Sequence, residues 1–332
     1  MKDKKVSSER TISMKYKIKK LLRCENGVSI VIVALAMSVL FGFTALVFDV
    51  GSLLESKRRL QTVADAAALA GAQKFAETIL NNGTTMEAEA SAHNSAIEYI
   101  TKNGIQEACT TISIDQQNKT VTVDVYEEQD LAFAPMIGFS KGRKEAHSKA
   151  VTGPIDSCEG MLPVFVTGGE KSGVVSLRQG LPPPDNPGNF YALALGGTGN
   201  QNYEEKLKFG YDGLICLGQE LTTETGNKPQ GTVNGLQYRI DKCTELHGGS
   251  CNALSYTPGC ARIVTIPVCA GSPSGRDKVT VTGFVSLFIE SVTMHGGEAV
   301  VNVTFINCIT AGHVGGPDQT ADYKTWGVNL ID

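Results

Sequence analysis

The sequence predicts an α+β chain that starts with one membrane-crossing helix and ends in a β-rich region. Three observations lead there. Val28 to Phe48 is an uncharged apolar run, Arg59 to Glu77 follows as an alanine-rich helical stretch, and from about Thr111 short alternating runs between turn residues take over. A helical period giving way to a period of two marks helices followed by sheet.

The run VSIVIVALAMSVLFGFTALVF, about 21 residues at about 1.5 Å each, reaches roughly 30 Å, the thickness of a bilayer core. Lys2, Lys4, Lys5, Arg10, Lys15, Lys17, Lys19, Lys20 and Arg23 precede it against Asp3, Glu9 and Glu25, whereas Asp49 and Glu55 follow it. The positive-inside rule therefore places the N-terminus in the cytoplasm and everything beyond Gly51 outside. The run is longer than the roughly 7–15 residues of a signal-peptide core, and Phe48-Asp49-Val50-Gly51 offers no small-x-small cleavage site. The expectation is a retained, single-pass protein of the cell membrane with an extracytoplasmic C-terminal part.

From Gly51 to about Leu80 the apolar stripe Leu53, Leu60, Val63, Ala67 and Ala70 predicts a helix, stopped by Asn81-Asn82-Gly83. Ala64, Ala68 and Ala72 recur every four residues beside Ala67 and Gly71, a spacing that lets a neighbouring helix or sheet approach the backbone closely. Gln61 and Asp65 stand one turn apart, within hydrogen-bonding reach. Thr84 with Glu87 makes a capping box for a second helix ending at Asn103-Gly104.

Thr111–Asp115 and Thr120–Tyr126 read as a hairpin, Leu131–Phe139 as a short helix or loop, and Glu145–Thr152 as a strand. A long apolar helix leading into a small antiparallel sheet is a pilin-like layout by analogy. After Gly153-Pro154 glycine and proline become frequent. Met161–Thr167, Gly173–Leu177, Tyr191–Leu195, Ala261–Val268, Lys278–Ile289 and Ala299–Ile306 suit strands, with loops at 181–188 and 225–231. The expected organisation is a basic tail at 1–27, a transmembrane helix at 28–50, a helical and small-sheet module at 51–152, and a β-rich exported domain at 153–332.

Cys109, Cys158, Cys216, Cys243, Cys251, Cys260, Cys269 and Cys308 all fall on the expected outer side, where disulfides form, whereas Cys24 precedes the span. Their connectivity is open, since eight cysteines allow about 105 pairings. The gaps between Cys243, Cys251, Cys260 and Cys269 exceed those of zinc knuckles, so no metal ligand is assigned.

No catalytic or cofactor-binding residue is assigned either. Gly196-Gly197-Thr198-Gly199-Asn200 lacks the Gly-Lys-Ser/Thr of a phosphate loop and reads as a turn, with no long helix starting from it. His93, His147, His247, His295 and His313 are scattered singly, and Ser172 and Ser274 complete no nucleophile elbow. The net charge of -4 and the absence of basic-aromatic interleaving argue against a nucleic-acid partner. The juxtamembrane cations suit anionic lipid.

Asp49-Val-Gly51, Arg58-Arg59-Leu60-Gln61 and Ala64-Asp65-Ala66-Ala67-Ala68-Leu69-Ala70-Gly71-Ala72, directly after an apolar span, resemble the N-terminal signature of the TadG-like proteins of Tad (tight adherence, Flp-type) pilus assembly. Pro187–Gly197, Thr223–Asn227, Arg262–Pro267 and Val281–Phe284 resemble the glycine-rich exported region of many such proteins. The resemblance implies a non-enzymatic bacterial envelope protein without cofactors. Its expected partners are the bilayer, Tad assembly proteins or pilin subunits, and its oligomeric state is open.

By the same resemblance, Asp49, Gly51, Leu60, Gln61, Ala64, Asp65, Ala68, Gly71 and Ala72 form the contact helix. Two features depart from related proteins. No Asp-x-Ser-x-Ser metal motif occurs, and Ile32 stands where a cleaved pseudopilin would carry glutamate five residues after Gly27. The chain is thus expected to stay uncut. A membrane-tethered hydrolase of wall or polysaccharide and an adhesion domain without a pilus role share this topology.

Overall fold

The computed structural model describes residues 25–168, 173–179, 189–271, 273, 275–316 and 322–331. The basic tail up to Cys24, the expected loop at 181–188, and Ser172 and Ser274 lie outside the described residues. The architecture is mixed α+β, with a long apolar helix followed by two sheets.

Helix α1 runs Glu25–Leu80 without interruption for 56 residues, roughly 84 Å at the α-helical rise. Its first part is long and apolar enough to cross a membrane. Ile30, Phe41 and Val47 are each 70% exposed, part of an apolar surface that continues to Val50. Such a surface is not left in water by a stable monomer. Beyond Arg59 the same helix turns inward, with Leu60, Ala64, Ala67, Ala68, Ala72 and Ala76 fully buried.

The Asn81–Gly83 stop forms as expected: Asn82 takes a positive φ and the Gly83 amide bonds the Thr78 carbonyl at 2.8 Å. Helix α2, Thr85–Lys102, opens with the predicted reciprocal box. The Glu87 amide donates to Thr84 Oγ1 at 3.2 Å, and the Thr84 amide donates to Glu87 Oε2 at 2.8 Å.

Strands β1 (Thr110–Asp115) and β2 (Thr120–Asp130) form the expected hairpin, β3 (Lys141–Cys158) follows, and a short 3₁₀ turn at Ala134–Ile137 lies between β2 and β3. The remaining strands are β4 (Val164–Thr167), β5 (Gly173–Gln179), β6 (Asn189–Ala192), β7 (Ile215–Cys216), β8 (Glu220–Thr222), β9 (Ile263–Ala270), β10 (Lys278–His295), β11 (Glu298–Ile306), β12 (Cys308–Ile309), β13 (Gly312–Val314) and β14 (Thr325–Leu330).

The chain divides into two compact units, residues 1–60 with 126–145, and residues 61–125 with 146–332. The first, as far as it is described, holds the apolar part of α1 and the distal stretches of β2 and β3. In the second, β3 continues unbroken through Gly153-Pro154. The C-terminal strand β14 returns to pair with it, Trp326 opposite Pro154 and Leu330 opposite Ala150. The first sheet has the order β1-β2-β3-β14-β12, with β7 and β13 also on β3.

The second sheet runs β11-β5-β6-β4-β9-β10, and β10 pairs with β11 again, so these strands close into a ring to which β8 is added. Closure leaves few open edges. Leu162, Val164, Ile266, Leu287, Val301 and Val303 form its core together with Tyr203, Leu207 and Leu236 from two helices.

Those helices, α3 (Asn200–Phe209) and α4 (Pro229–His247), lie in the β-rich region at positions where no helix was expected. Helix α3 starts directly after Gly199, in the stretch read as a turn, and α4 begins inside the expected loop 225–231. The apolar spacing Val233, Leu236, Ile240 and Cys243 is helical, but Gly231 and Gly235 disguise it. A Cβ on Gly235 would lie 2.5 Å from Leu207 Cβ, so this glycine lets α3 and α4 approach closely.

Trp326, the sole tryptophan, is buried against Ala76 and Leu80 at the end of α1, and its Nε1 donates to Asp322 Oδ1 at 2.8 Å. Leu80→Ala removes a buried branched side chain from this contact. The expected cost is about 2–4 kcal/mol of stability, read by chemical denaturation, with a red shift of the tryptophan emission in the folded protein.

Candidate functional site

The residues of the contact helix have distinct environments. Asp49 is buried, and its carboxylate accepts three backbone hydrogen bonds, from Ala132 at 2.9 Å, Phe133 at 3.0 Å and Ala134 at 2.7 Å. The 3₁₀ turn at Ala134–Ile137 has no cap of its own on Phe133, so Asp49 supplies one from far along the chain. Ser52 donates to the Asp49 carbonyl and receives a hydrogen bond from Gln129 at 3.2 Å. Gly51 is exposed with open space where a Cβ would stand, and nothing in the structure explains a glycine there.

Beside this cap, Arg59 donates to both carboxylate oxygens of Glu127 at 3.1 and 2.9 Å, and the buried Lys144 donates to Glu127 at 3.0 Å and Gln129 at 2.9 Å. The Lys144 hydrogen bond, with Arg59 adding its charge, holds the Glu127 carboxyl below its ordinary value against the cost of burial.

The small-residue stripe packs within its own unit. Ala64, Ala68 and Ala72 are fully buried, and a Cβ on Gly71 would meet Val121 Cγ1 at 3.0 Å, the Ala92 carbonyl at 3.3 Å and Ala96 Cβ at 3.5 Å. The neighbours admitted by the alanine spacing are therefore α2 and the β1–β2 hairpin of the same chain. Gln61 donates to Asp65 at 2.8 Å and to the His147 carbonyl at 2.7 Å, tying the helix to β3.

A second cluster was not anticipated. Cys243, Cys251 and Cys260 are buried, His247 is half-buried, and their sulfur and imidazole nitrogen atoms all lie within 4.8 Å of one another. Cys243 and His247 are one turn apart on α4, while Cys251 and Cys260 come from the following loop. Cys260 Sγ is 3.3 Å from Cys243 Sγ, and His247 Nδ1 is 3.5 Å from Cys251 Sγ and 4.0 Å from Cys243 Sγ. Phe288 and Ile306 complete the buried surround.

Between cysteines alone the gaps are long, but with His247 included the spacing is Cys-x3-His-x3-Cys-x8-Cys. That interposed histidine was the available signal. The eight described cysteines are free thiols: Cys216 is exposed, Cys109 half-buried, and Cys158, Cys269 and Cys308 are buried. Ser157 lies opposite Cys216 and Cys158 opposite Ile215, so Cys158 and Cys216 face opposite sides of their sheet.

The apolar span, the Asp49 cap and the inward-facing alanines define the N-terminal segment. Residues 27–74 match the Tad family model, described as "Putative Flp pilus-assembly TadE/G-like". The TadE/G-like segment thus covers most of α1, from the apolar half through Ala72. Neither the curated proteins nor the solved structures contain a match.

Two outcomes test this geometry. Gly71→Leu forces a branched side chain into the α1–α2–β2 contact and is expected to cost about 1–3 kcal/mol, measured by denaturation. Glu127 has a depressed folded value, so its contribution is complete above the ordinary carboxyl range near about 4.3 and is lost as pH falls through the lower folded value. Glu127→Gln is expected to cost about 1 kcal/mol near neutrality, reduced by partial exposure. In hydrogen exchange of 126–145, the gap from wild type closes in acid.

Proposed function

We propose that this chain is a non-enzymatic, membrane-anchored envelope protein that acts in assembly or anchoring of a Tad/Flp-type pilus. One observation carries the reading: the matched segment 27–74 is one helix that joins an exposed apolar span to a buried alanine-glycine stripe. The apolar half is the bilayer anchor. The basic residues before it hold the N-terminus in the cytoplasm, and the two sheets lie beyond the membrane.

In this role the stripe has a structural task. It seats α2 and the hairpin on the part of α1 beyond Leu60, and Gln61 ties β3 to the same stretch. Pilus proteins are engaged by surfaces built on that frame. In an extracytoplasmic compartment the exposed Cys216 and half-buried Cys109 remain available for disulfides, within the chain or to a second copy.

Crosslinking in intact cells followed by pull-down of the full-length protein tests the reading. The expected result is recovery of the pilus ATPase, platform or pilin subunits, dependent on the span. Recovery of none of them, with a soluble glycan bound instead, overturns the pilus role in favour of a surface-binding or hydrolytic one.

A further inference from the structure

We propose that Cys243, His247, Cys251 and Cys260 form a structural zinc site that closes the loop after α4. A zinc–sulfur bond of about 2.3 Å and a zinc–nitrogen bond of about 2.0–2.1 Å in a tetrahedron set sulfur–sulfur edges near roughly 3.8 Å and sulfur–nitrogen edges near roughly 3.5 Å. Here one sulfur–sulfur edge, Cys243 to Cys260, is 3.3 Å, two sulfur–nitrogen edges are 3.5 and 4.0 Å, and the other edges lie within 4.8 Å. That spread accommodates one four-coordinate ion.

The donor set selects the metal. Three thiolates and one imidazole are soft and borderline ligands, suited to zinc and unsuited to magnesium or calcium. Four protein ligands leave no open position, which is the arrangement of a structural site.

A disulfide uses these residues less completely. It joins two of the three sulfurs and leaves a buried thiol and an imidazole facing it, whereas a metal engages all four donors. On binding, each thiol releases its proton to solvent as its sulfur bonds the ion, and the neutral imidazole gives its Nδ1 lone pair. Three thiolates on a divalent ion leave a net charge of -1.

The surroundings suit that charge. Arg262, two residues after Cys260, donates to the carbonyls of Cys251 at 3.3 Å, Ile289 at 2.7 Å and Glu290 at 2.9 Å. Arg239, one turn before Cys243, donates to the carbonyls of Leu207 and Ala261. Thr257 touches both loop ligands: Cys251 Sγ lies 4.0 Å from its Oγ1, and the Cys260 amide donates to its carbonyl at 3.1 Å, as outer-shell partners do in metal sites. The loop from Gly248 to Arg262 contains only turns and the small Asn252–Ser255 bridge, so a metal supplies the staple that regular pairing does not.

The test uses the full-length protein, alkylated in cells before lysis and purified in detergent micelles, with zinc measured by plasma mass spectrometry and disulfides by non-reducing peptide mapping. About one zinc per chain is expected, with the four ligand residues linked by no disulfide. Cys243→Ser, Cys251→Ser and Cys260→Ser are each expected to weaken zinc retention at least roughly tenfold against a chelator, while Cys216→Ser leaves it unchanged.

His247→Cys keeps four ligands, so it retains zinc; its cobalt(II) derivative gains thiolate charge-transfer intensity over wild type. This readout does not depend on a cysteine variant folding. A disulfide among Cys243, Cys251 and Cys260 in the cellular protein overturns the proposal. Zinc in wild type at the level of the Cys243→Ser/Cys260→Ser variant overturns it equally, and neither result bears on the pilus reading.

Discussion

The close approach of backbone to backbone along α1 is the constraint on which the second unit depends. Gly71 leaves room for the Ala92 carbonyl and Val121 Cγ1, and the buried alanines at 64, 68 and 72 extend that contact along the helix. An alanine face has little apolar area per residue to bury, so its value lies in proximity. Packing at short range brings many weak dispersion contacts into reach at once; the buried face of α2 is itself alanine apart from Ile100, and Val121, Val123 and Val125 of the hairpin add larger buried side chains. One uninterrupted helix can then present large apolar side chains outward over one stretch and small ones inward over the next.

The legible parts of the fold were those in which local chemistry and tertiary environment agree. Thr84 and Glu87 form a capping box in any context that lets a helix start, and alternating strands such as Thr120–Tyr126 need only one buried face. Helix α4 was hidden because Gly231 and Gly235 stand where helix propensity disfavours them, and α3 because it is only ten residues long and directly follows a glycine-rich stretch. Gly235 is there for Leu207, a contact between elements that no local pattern records. Similarly, the acceptance of three amides by Asp49 depends on a turn more than eighty residues away. The signature residue was readable, but its partners were not.

Cysteine spacing shows the same division. Sequence position limits which donor side chains lie on adjacent turns of a helix, as Cys243 and His247 do, but the loop path decides whether Cys251 and Cys260 fold back onto them. A reading that counts sulfur alone favours disulfides in an exported chain. Once the imidazole is included, the donors number four and converge, and the balance shifts towards an ion that satisfies each of them. The buried Cys158 and Cys269 have no such convergence: burial alone pushes Cys269 up to about 12, and Cys158 up to about 11 with Glu159 adding to it. Both therefore remain protonated and weakly nucleophilic.

The return of the C-terminus to the start of the fold has a kinetic consequence. Strand β14 pairs with β3, Trp326 covers Ala76 and Leu80, and the Asn307 side chain donates to the Leu80 carbonyl. These contacts join residues 172 to 250 positions apart, and closing such separations carries an entropic cost before the contact stabilises anything. The end of α1 therefore keeps an apolar surface exposed until the last strand is available.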